Sequence, residues 1–148
     1  MTSRFEIEKP TAHVTEVRVR YCEVDRMGYL HHSRYLALME LARTEALREA
    51  GFVYRDLEDM GALLVVAKVD IRYKAPAYYD DVLRIETTLR RVTWTRLDHD
   101  YRIVRAHDGV VSAEAHTTLG CVGPDGRPRK LPDELLQFRD KMTGQTAT

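Results

Sequence analysis

An amphipathic helix followed by several long runs of alternating side chains limits the folds open to this chain. Residues 34–50 place small and apolar side chains on one stripe, and Gly51 follows where a helix would stop. Residues 14–22 before the helix, and four longer segments after it, alternate with the period of two that is typical of strands. We therefore predict an α+β domain with one long central helix wrapped by a curved antiparallel sheet of about five strands. The stripe comprises Tyr35, Leu38, Met39, Ala42, Ala46 and Ala50, and the later strands lie within 63–74, 83–89, 97–103 and 111–121.

Short connections join the predicted strands, which favours antiparallel neighbours. Pro76 ends the first long run, because proline cannot donate to a strand ladder. Asp108-Gly109 predicts a two-residue hairpin, and Pro132 predicts the start of a short terminal helix over 133–141. Sheet edges left free on such a domain are expected to be covered by self-association, so we expect a homo-oligomer.

Length and charge exclude several classes of protein. The 148 residues suffice for one domain, 1–148, with an ordered core expected over about 13–140. Lys plus Arg and Asp plus Glu both number 23, so no net field attracts nucleic acid. No apolar run approaches the roughly 20 residues that span a bilayer, and residues 1–6 lack an apolar signal core. We expect a cytoplasmic protein that binds no nucleic acid and does not insert into a membrane.

The cysteines and histidines do not predict a metal site. Cys22 and Cys121 are far apart and lack CxxC spacing, so we interpret both as buried thiols. His31 and His32 are adjacent and are expected to diverge rather than to share one metal ion. The remaining histidines are scattered over later strands, and no metal is expected. They include His99, His107 and His116.

The segment between the first strand and the helix carries the densest set of reactive side chains. Gly28 can turn the chain so that Asp25 returns over the helix start, where Ser33 stands as an N-cap for the free amides. A helix N-terminus stabilises an anion or a developing oxyanion. Two interpretations of Asp25 stay open here: a turn or capping residue, or a carboxylate that attacks a carbonyl or takes a proton from water. On the helix, Glu40 is expected to pair with Arg43.

Several common catalytic motifs are missing from the sequence. It contains no GxSxG nucleophile elbow, no GxxxxGK[ST] phosphate loop and no GxGxxG dinucleotide fingerprint. Hydrolysis of nucleoside triphosphates and cofactor-dependent redox chemistry are therefore disfavoured.

A longer pattern in the same region resembles a known family. Tyr21-x-Glu23-x-Asp25-x-x-Gly28-x-x-x-His32-x-x-Tyr35-x-x-x-x-Glu40-x-x-Arg43 is similar to the opening motif of hotdog-fold acyl-CoA thioesterases of the 4-hydroxybenzoyl-CoA thioesterase type, including small Tol-Pal-associated members. The similarity continues through Tyr73-Lys74-Ala75-Pro76, 79–83 and 126–129. It implies a hotdog fold, in which a curved antiparallel sheet wraps a helix, and dimers with joined sheets that often pair into tetramers. The active sites would lie at the dimer interface.

The resemblance also assigns roles to particular residues. Asp25 matches the family's catalytic aspartate, which acts as nucleophile or as general base, and His32 matches the position whose backbone N–H polarises the thioester carbonyl. A second branch of the superfamily places its carboxylate within the helix, at the position of Glu40, but the surrounding motif favours Asp25. Neither a metal nor a cofactor is implied, since CoA is part of the substrate. Basic contacts to the CoA phosphates are expected at Arg127 and Arg129, with Arg90, Arg91 and Arg96 nearby, unless these are solvated surface charges.

These observations predict an acyl-CoA thioesterase that acts as a homodimer or homotetramer on a small-molecule acyl-CoA. The alternatives are an acyl-carrier-protein thioesterase, a hotdog dehydratase that uses His32, and a non-catalytic acyl-CoA-binding hotdog protein. The acyl group stays open, because Met27 and His31 depart from the residues frequent in the family. Pocket walls could include Met39, Leu63, Leu64 and Val65, which core packing explains equally well.

Overall fold

Five antiparallel strands form one sheet in the computed structural model, which describes residues 11–142 and the side chains of 11–137. Their spatial order is β1-β3-β4-β5-β2, so β1 and β2 are the two edges. The prediction of a five-stranded antiparallel sheet is confirmed. The strands are β1 Ala12–Arg18, β2 Leu63–Tyr73, β3 Val82–Val92, β4 Arg96–Arg105 and β5 Val111–Val122.

Three α-helices accompany the sheet within the described residues: α1 Arg34–Glu49, α2 Tyr54–Asp59 and α3 Asp133–Met142. Gly51 follows α1 with a φ of +98°, a conformation that glycine adopts without steric cost. Helix α3 starts directly after Pro132, as the sequence predicts. Helix α2 was not predicted, because its six residues are too few for a periodic pattern.

The apolar stripe of α1 packs on one face of the sheet. Tyr35, Leu38, Met39 and Ala42 share a buried cluster with apolar side chains of β3, β4 and β5. A second cluster places Leu47 of α1 against the last strand and the start of α3. This burial removes the apolar stripe from water and fixes where α1 begins and ends relative to the strands.

The opposite face of the sheet is charged. Glu86, Arg102, Glu114 and Arg72 stand side by side on β3, β4, β5 and β2, so the sign alternates along the row. Arg102 contacts Glu86 at 3.4 Å. Alternating charges on neighbouring strands favour this register over one shifted by a residue.

Three local predictions were wrong. The first strand ends at Arg18 and residues 21–23 form a 3-10 turn, which leaves the Cys22 thiol exposed, whereas Cys121 is buried as expected. The connection from β4 to β5 spans five residues, 106–110, instead of the two-residue turn expected at Asp108-Gly109.

No helix in the described part of the chain is long and apolar enough to cross a membrane. The tail segments 1–10 and 143–148 lie outside the described residues.

Candidate active site

A tight loop over residues 24–30 presents Asp25. Val24 and Leu30 form an antiparallel bridge, and the Asp25 N–H donates to the Tyr29 carbonyl oxygen at 2.7 Å. Gly28 has a φ of +81°, in the left-handed region that its missing Cβ permits. The Leu30 N–H donates to the carbonyl oxygen of Ala77 at 2.7 Å, which ties the loop to the segment before β3. The turn predicted at Gly28 is therefore present, and it is anchored to the sheet.

The two carboxylate oxygens of Asp25 differ in their environment. Oδ1 accepts hydrogen bonds from the backbone N–H groups of Met27 at 2.8 Å and Tyr29 at 3.2 Å. Within the described residues, no donor contacts Oδ2. Asp25 is half-exposed as a residue; its Oδ1 stabilises the turn, and its Oδ2 is available for other contacts. The two interpretations left open by the sequence are compatible in this geometry.

The start of α1 is not capped as the sequence suggested. Ser33 holds the N-cap position, but its side chain makes no hydrogen bond to the helix amides. Its hydroxyl instead lies 2.8 Å from Nδ1 of His31, which also accepts the Ser33 N–H at 3.2 Å. Within residues 11–142, the His32 backbone N–H has no acceptor. The His32 N–H therefore remains available close to the positive end of the α1 dipole.

Aromatic side chains connect the helix start to the far edge of the sheet. The Tyr35 hydroxyl lies 2.7 Å from Oγ of Ser112, which donates to the carbonyl oxygen of Ala75 at 2.8 Å. Burial raises the pKa of the Tyr35 hydroxyl. The Tyr73 ring meets the Tyr35 ring edge-on with centroids 5.1 Å apart. This network holds the segment after β2 against α1.

Asp25 and His32 line the same cleft, together with Tyr35, Tyr73 and the segment 74–76. The cleft has a volume of about 320 Å³, at the lower end of the range for small-molecule sites. The sequence placed Asp25 and His32 together but did not identify the wall from β2. The Tyr73-Lys74-Ala75-Pro76 match was the available signal, although it did not show that these residues face Asp25.

The five predicted arginines lie at the other end of the sheet. Asp25 is close to the segment before β3, whereas Arg90 and Arg91 are at the end of β3 and Arg96 begins β4. Arg90 donates to Asp100 at 2.8 Å, and Arg129 donates to the Met60 carbonyl oxygen at 2.7 Å. None of the five, Arg127 included, lines the cleft of Asp25.

Other candidate residues are also placed differently from the prediction. Glu40 is exposed and Arg43 is buried, and no ion pair joins them among the described side chains. Met39 is a core residue with 1% exposure, so it forms no wall of the cleft. The rings of His31 and His32 stack with centroids 4.2 Å apart instead of diverging, because they precede the regular helix. No cluster suited to a metal ion occurs within the described residues.

Comparisons with known proteins agree with this architecture. The profile of the Thioesterase-like superfamily matches residues 19–138. The chain is 37% identical over 121 residues to the acyl-CoA thioester hydrolase YbgC of Escherichia coli O6:H1, covering 81% of this chain and 90% of that protein. The structure superimposes on the DHNA-CoA thioesterase of Staphylococcus aureus with a TM-score of 0.85 and 26% identity over 90% of this chain and 91% of the other. A hypothetical protein from Aquifex aeolicus gives a TM-score of 0.79 and 31% identity over 85% and 98%.

The sheet, the helix on its inner face and the cleft at the helix start define a thioester hydrolase of the hotdog class. The chain belongs to the Thioesterase-like superfamily, whose profile covers its described part almost entirely. The prediction of an enzyme that hydrolyses thioesters is thereby confirmed at the level of the family.

Proposed function

We propose that this protein hydrolyses an acyl-CoA thioester to a carboxylic acid and free CoA, with Asp25 as its catalytic residue. The observation that carries the proposal is that one cleft brings together the Asp25 carboxylate, the His32 position and the open start of α1. Hydrolysis needs a base or nucleophile on one side of the thioester carbonyl and hydrogen-bond donors on its oxygen. These residues supply both groups.

In the proposed reaction, the thioester oxygen lies against the His32 backbone N–H. This N–H has no acceptor within residues 11–142, and the positive end of α1 favours the negative charge that develops on the oxygen. No imidazole chemistry is required, because the backbone donor performs this role. A dehydratase would use the His32 imidazole, which also lines the cleft, but the Asp25 turn and the relatives named as thioester hydrolases favour hydrolysis.

Asp25 can act through its free oxygen Oδ2 in two ways. As a general base, it takes a proton from water while the water oxygen bonds to the acyl carbon; the carbon–sulfur bond then breaks, and Asp25 returns the proton to the departing CoA thiolate. As a nucleophile, Oδ2 itself bonds to the acyl carbon, the thiolate leaves, and water then cleaves the mixed anhydride to give the acid and the free aspartate. Oδ1 stays bonded to the Met27 and Tyr29 amides in both routes and holds the carboxylate in place.

A homodimer formed through β2 accounts for the position of the arginines. Strand β2 is an edge of 11 residues with Val65, Val66 and Val69 exposed, so it offers unpaired backbone groups and apolar side chains. Antiparallel pairing with β2 of a second copy places the Tyr73 end of one strand beside the Leu63 end of the other. Arg127 and Arg129 lie near that Leu63 end, so each cleft would receive them from the second copy.

In this dimer, α1 is the central helix of each subunit and the joined sheet wraps both helices. We propose that Arg127 and Arg129 contact the CoA phosphates and that Arg90, Arg91 and Arg96 add positive charge at the rim. Arg90 is already engaged by Asp100, which makes it the weakest member of the set. No metal and no cofactor take part in the proposal. Pairing of dimers into a tetramer and a cytoplasmic location stay predictions.

Release of free thiol from a panel of acyl-CoAs tests the proposed function. The panel contains short-chain, long-chain and aromatic acyl groups, and each productive chain is also offered on an acyl carrier protein. Turnover of at least one acyl-CoA in preference to its carrier-bound form supports the proposal. Preference for the carrier-bound form would favour the carrier-protein thioesterase. Saturable acyl-CoA binding without thiol release would favour the non-catalytic alternative.

A further inference from the structure

A second cavity lies at the C-terminal end of α1, away from the cleft at the helix start. Its volume is about 220 Å³. Ala46, Leu47 and Ala50 of α1 form one wall, and Thr87 and Leu89 of β3 with His99 of β4 form another. The cavity thus lies between the C-terminal half of the helix and the inner face of the sheet, opens to solvent beside the start of β1, and has a largely apolar lining.

Two polar side chains of this cavity are buried without a hydrogen-bond partner. Thr87 is 2% exposed and His99 is 1% exposed. Among the described residues, neither Oγ1 of Thr87 nor Nδ1 of His99 has a partner. Burial, with the nearby positive charge of Arg43, lowers the pKa of His99 to about 3, so the ring is neutral near pH 7. Buried polar groups are normally hydrogen-bonded, so these two atoms are available to a molecule that enters the cavity.

Arg43 supplies a buried positive charge near His99, although it does not itself line the cavity and its charge also acts on the hydroxyls of Tyr54 and Tyr101. It lies one helical turn before Ala46 and Leu47, is 7% exposed, and its charge acts on His99. No carboxylate lies within ion-pair distance of it in the described part of the chain, and its Nε has no hydrogen-bond partner there. A buried guanidinium is normally paired with an anion, because burial without a counter-charge is costly.

We propose that this cavity binds a small monocarboxylate with a short apolar body. The carboxylate accepts hydrogen bonds from Thr87 and from the imidazole N–H of His99, and Arg43 balances its charge. The apolar body packs against Leu47 and Leu89. An engineered cavity of about 150 Å³ holds benzene, so about 220 Å³ accommodates a benzene ring with a carboxylate. At the outer rim, the Glu49 carboxylate is engaged by His13.

This site is independent of the proposed hydrolysis, and the test separates the two. The amide resonances of the full chain are followed by NMR while benzoate is added, with benzyl alcohol as the uncharged probe of the same skeleton. A ligand of this size is expected to bind in the millimolar range, so the titration extends to about 10 mM. We expect saturable shifts at Thr87, Leu89 and His99, and binding of the alcohol at least about tenfold weaker, the scale of a charge-assisted hydrogen bond.

Two variants locate the binding and its charge dependence. Ala46→Leu fills the cavity from the helix and should abolish the shifts at Leu89 and His99, whereas Ala37→Leu, on an exposed position of the same helix, should leave them unchanged. Arg43→Gln should weaken benzoate about tenfold without changing benzyl alcohol. Equal affinity for acid and alcohol, shifts that persist in Ala46→Leu, or no saturable shifts at these residues would overturn the proposal. Because the signal comes from these amides, the result does not depend on turnover.

Discussion

The hydroxyl of Tyr73, at the end of edge strand β2, donates a hydrogen bond to the backbone carbonyl oxygen of His32 at 3.0 Å. The contact joins residues 41 positions apart and fixes the peptide that precedes α1. The His32 N–H, which is the proposed donor to the thioester oxygen, belongs to the adjacent peptide unit, so an edge strand restrains the residue that carries this donor. The strand that we propose as the dimer contact therefore also orients the active site.

Removing the Tyr73 hydroxyl should slow hydrolysis while the aromatic ring still forms its part of the cleft wall. In Tyr73→Phe the ring still packs on Tyr35, but the peptide at His32 loses its anchor. We expect kcat to fall about fivefold with a smaller change in KM, as one hydrogen bond is worth about 1 kcal/mol. Steady-state thiol release measures both constants. Tyr79→Phe, which removes an exposed hydroxyl, is the control, and equal kcat in the two variants would contradict the positioning role.

Two serines near the site should differ in their effect on stability. Ser112→Ala strips the buried Tyr35 hydroxyl and the Ala75 carbonyl of a partner, so the free energy of unfolding should fall by about 1–3 kcal/mol. Ser33→Ala should change it by less than about 0.5 kcal/mol, because Ser33 bonds to no helix amide. Urea denaturation measures both. A loss for Ser33→Ala as large as that for Ser112→Ala would show that Ser33 caps the helix after all.

Charges placed on β2 should separate the proposed dimer. Val66→Lys combined with Val69→Lys puts two positive charges on the exposed edge of each copy, so an antiparallel pair of β2 strands would bring four like charges close together. We expect a monomer by light scattering after gel filtration, together with a loss of thiol release. Val14→Lys, on the opposite edge β1, is the matched control and should remain a dimer. Dissociation by the control alone would place the interface on the other edge.

His99 predicts a pH dependence of stability. Its folded pKa of about 3 lies below the unfolded value of 6.5, so the unfolded chain takes up a proton that the folded chain refuses. The contribution of His99 to the free energy of unfolding is fully present above about pH 6.5. As the pH falls below this value, the contribution decreases with a slope that approaches about 1.4 kcal/mol per pH unit. Urea unfolding at pH 7, 6 and 5 should show a steeper decline for His107→Gln, which alters an exposed ring, than for His99→Gln. Parallel declines would mean that His99 titrates normally in the fold.

The sequence predicted those features that depend on neighbours along the chain. The stripe from Tyr35 to Ala42 gave the start of α1 correctly, and strand alternation located all five strands. The exposure of Cys22 and the burial of Arg43 were missed, because a 3-10 turn and a long side chain under α1 are set by tertiary packing. Alternation alone also could not show how far each strand extends.

In the candidate site too, the sequence predicted the residues that are close along the chain and missed those that the fold brings together. Asp25 and His32 were found because a turn and a helix start bring them together within eight residues of sequence. Tyr73 could not be connected to His32 before the fold was known, since the contact needs the register of β2 against β5. The sequence also could not predict that Arg127 and Arg129 lie away from the cleft, because their position depends on which end of the sheet each turn occupies.

The most direct test of the account is kcat for Asp25→Asn beside Glu40→Gln on the best acyl-CoA of the panel. Asparagine keeps an oxygen for the Met27 and Tyr29 amides and removes only the charge and the free oxygen at Oδ2. We predict a loss of about a hundredfold or more for Asp25→Asn and a change within about twofold for Glu40→Gln, whose side chain is exposed and does not line the cleft. Near-normal turnover by Asp25→Asn, or the larger loss in Glu40→Gln, would contradict the assignment of Asp25 as the catalytic residue.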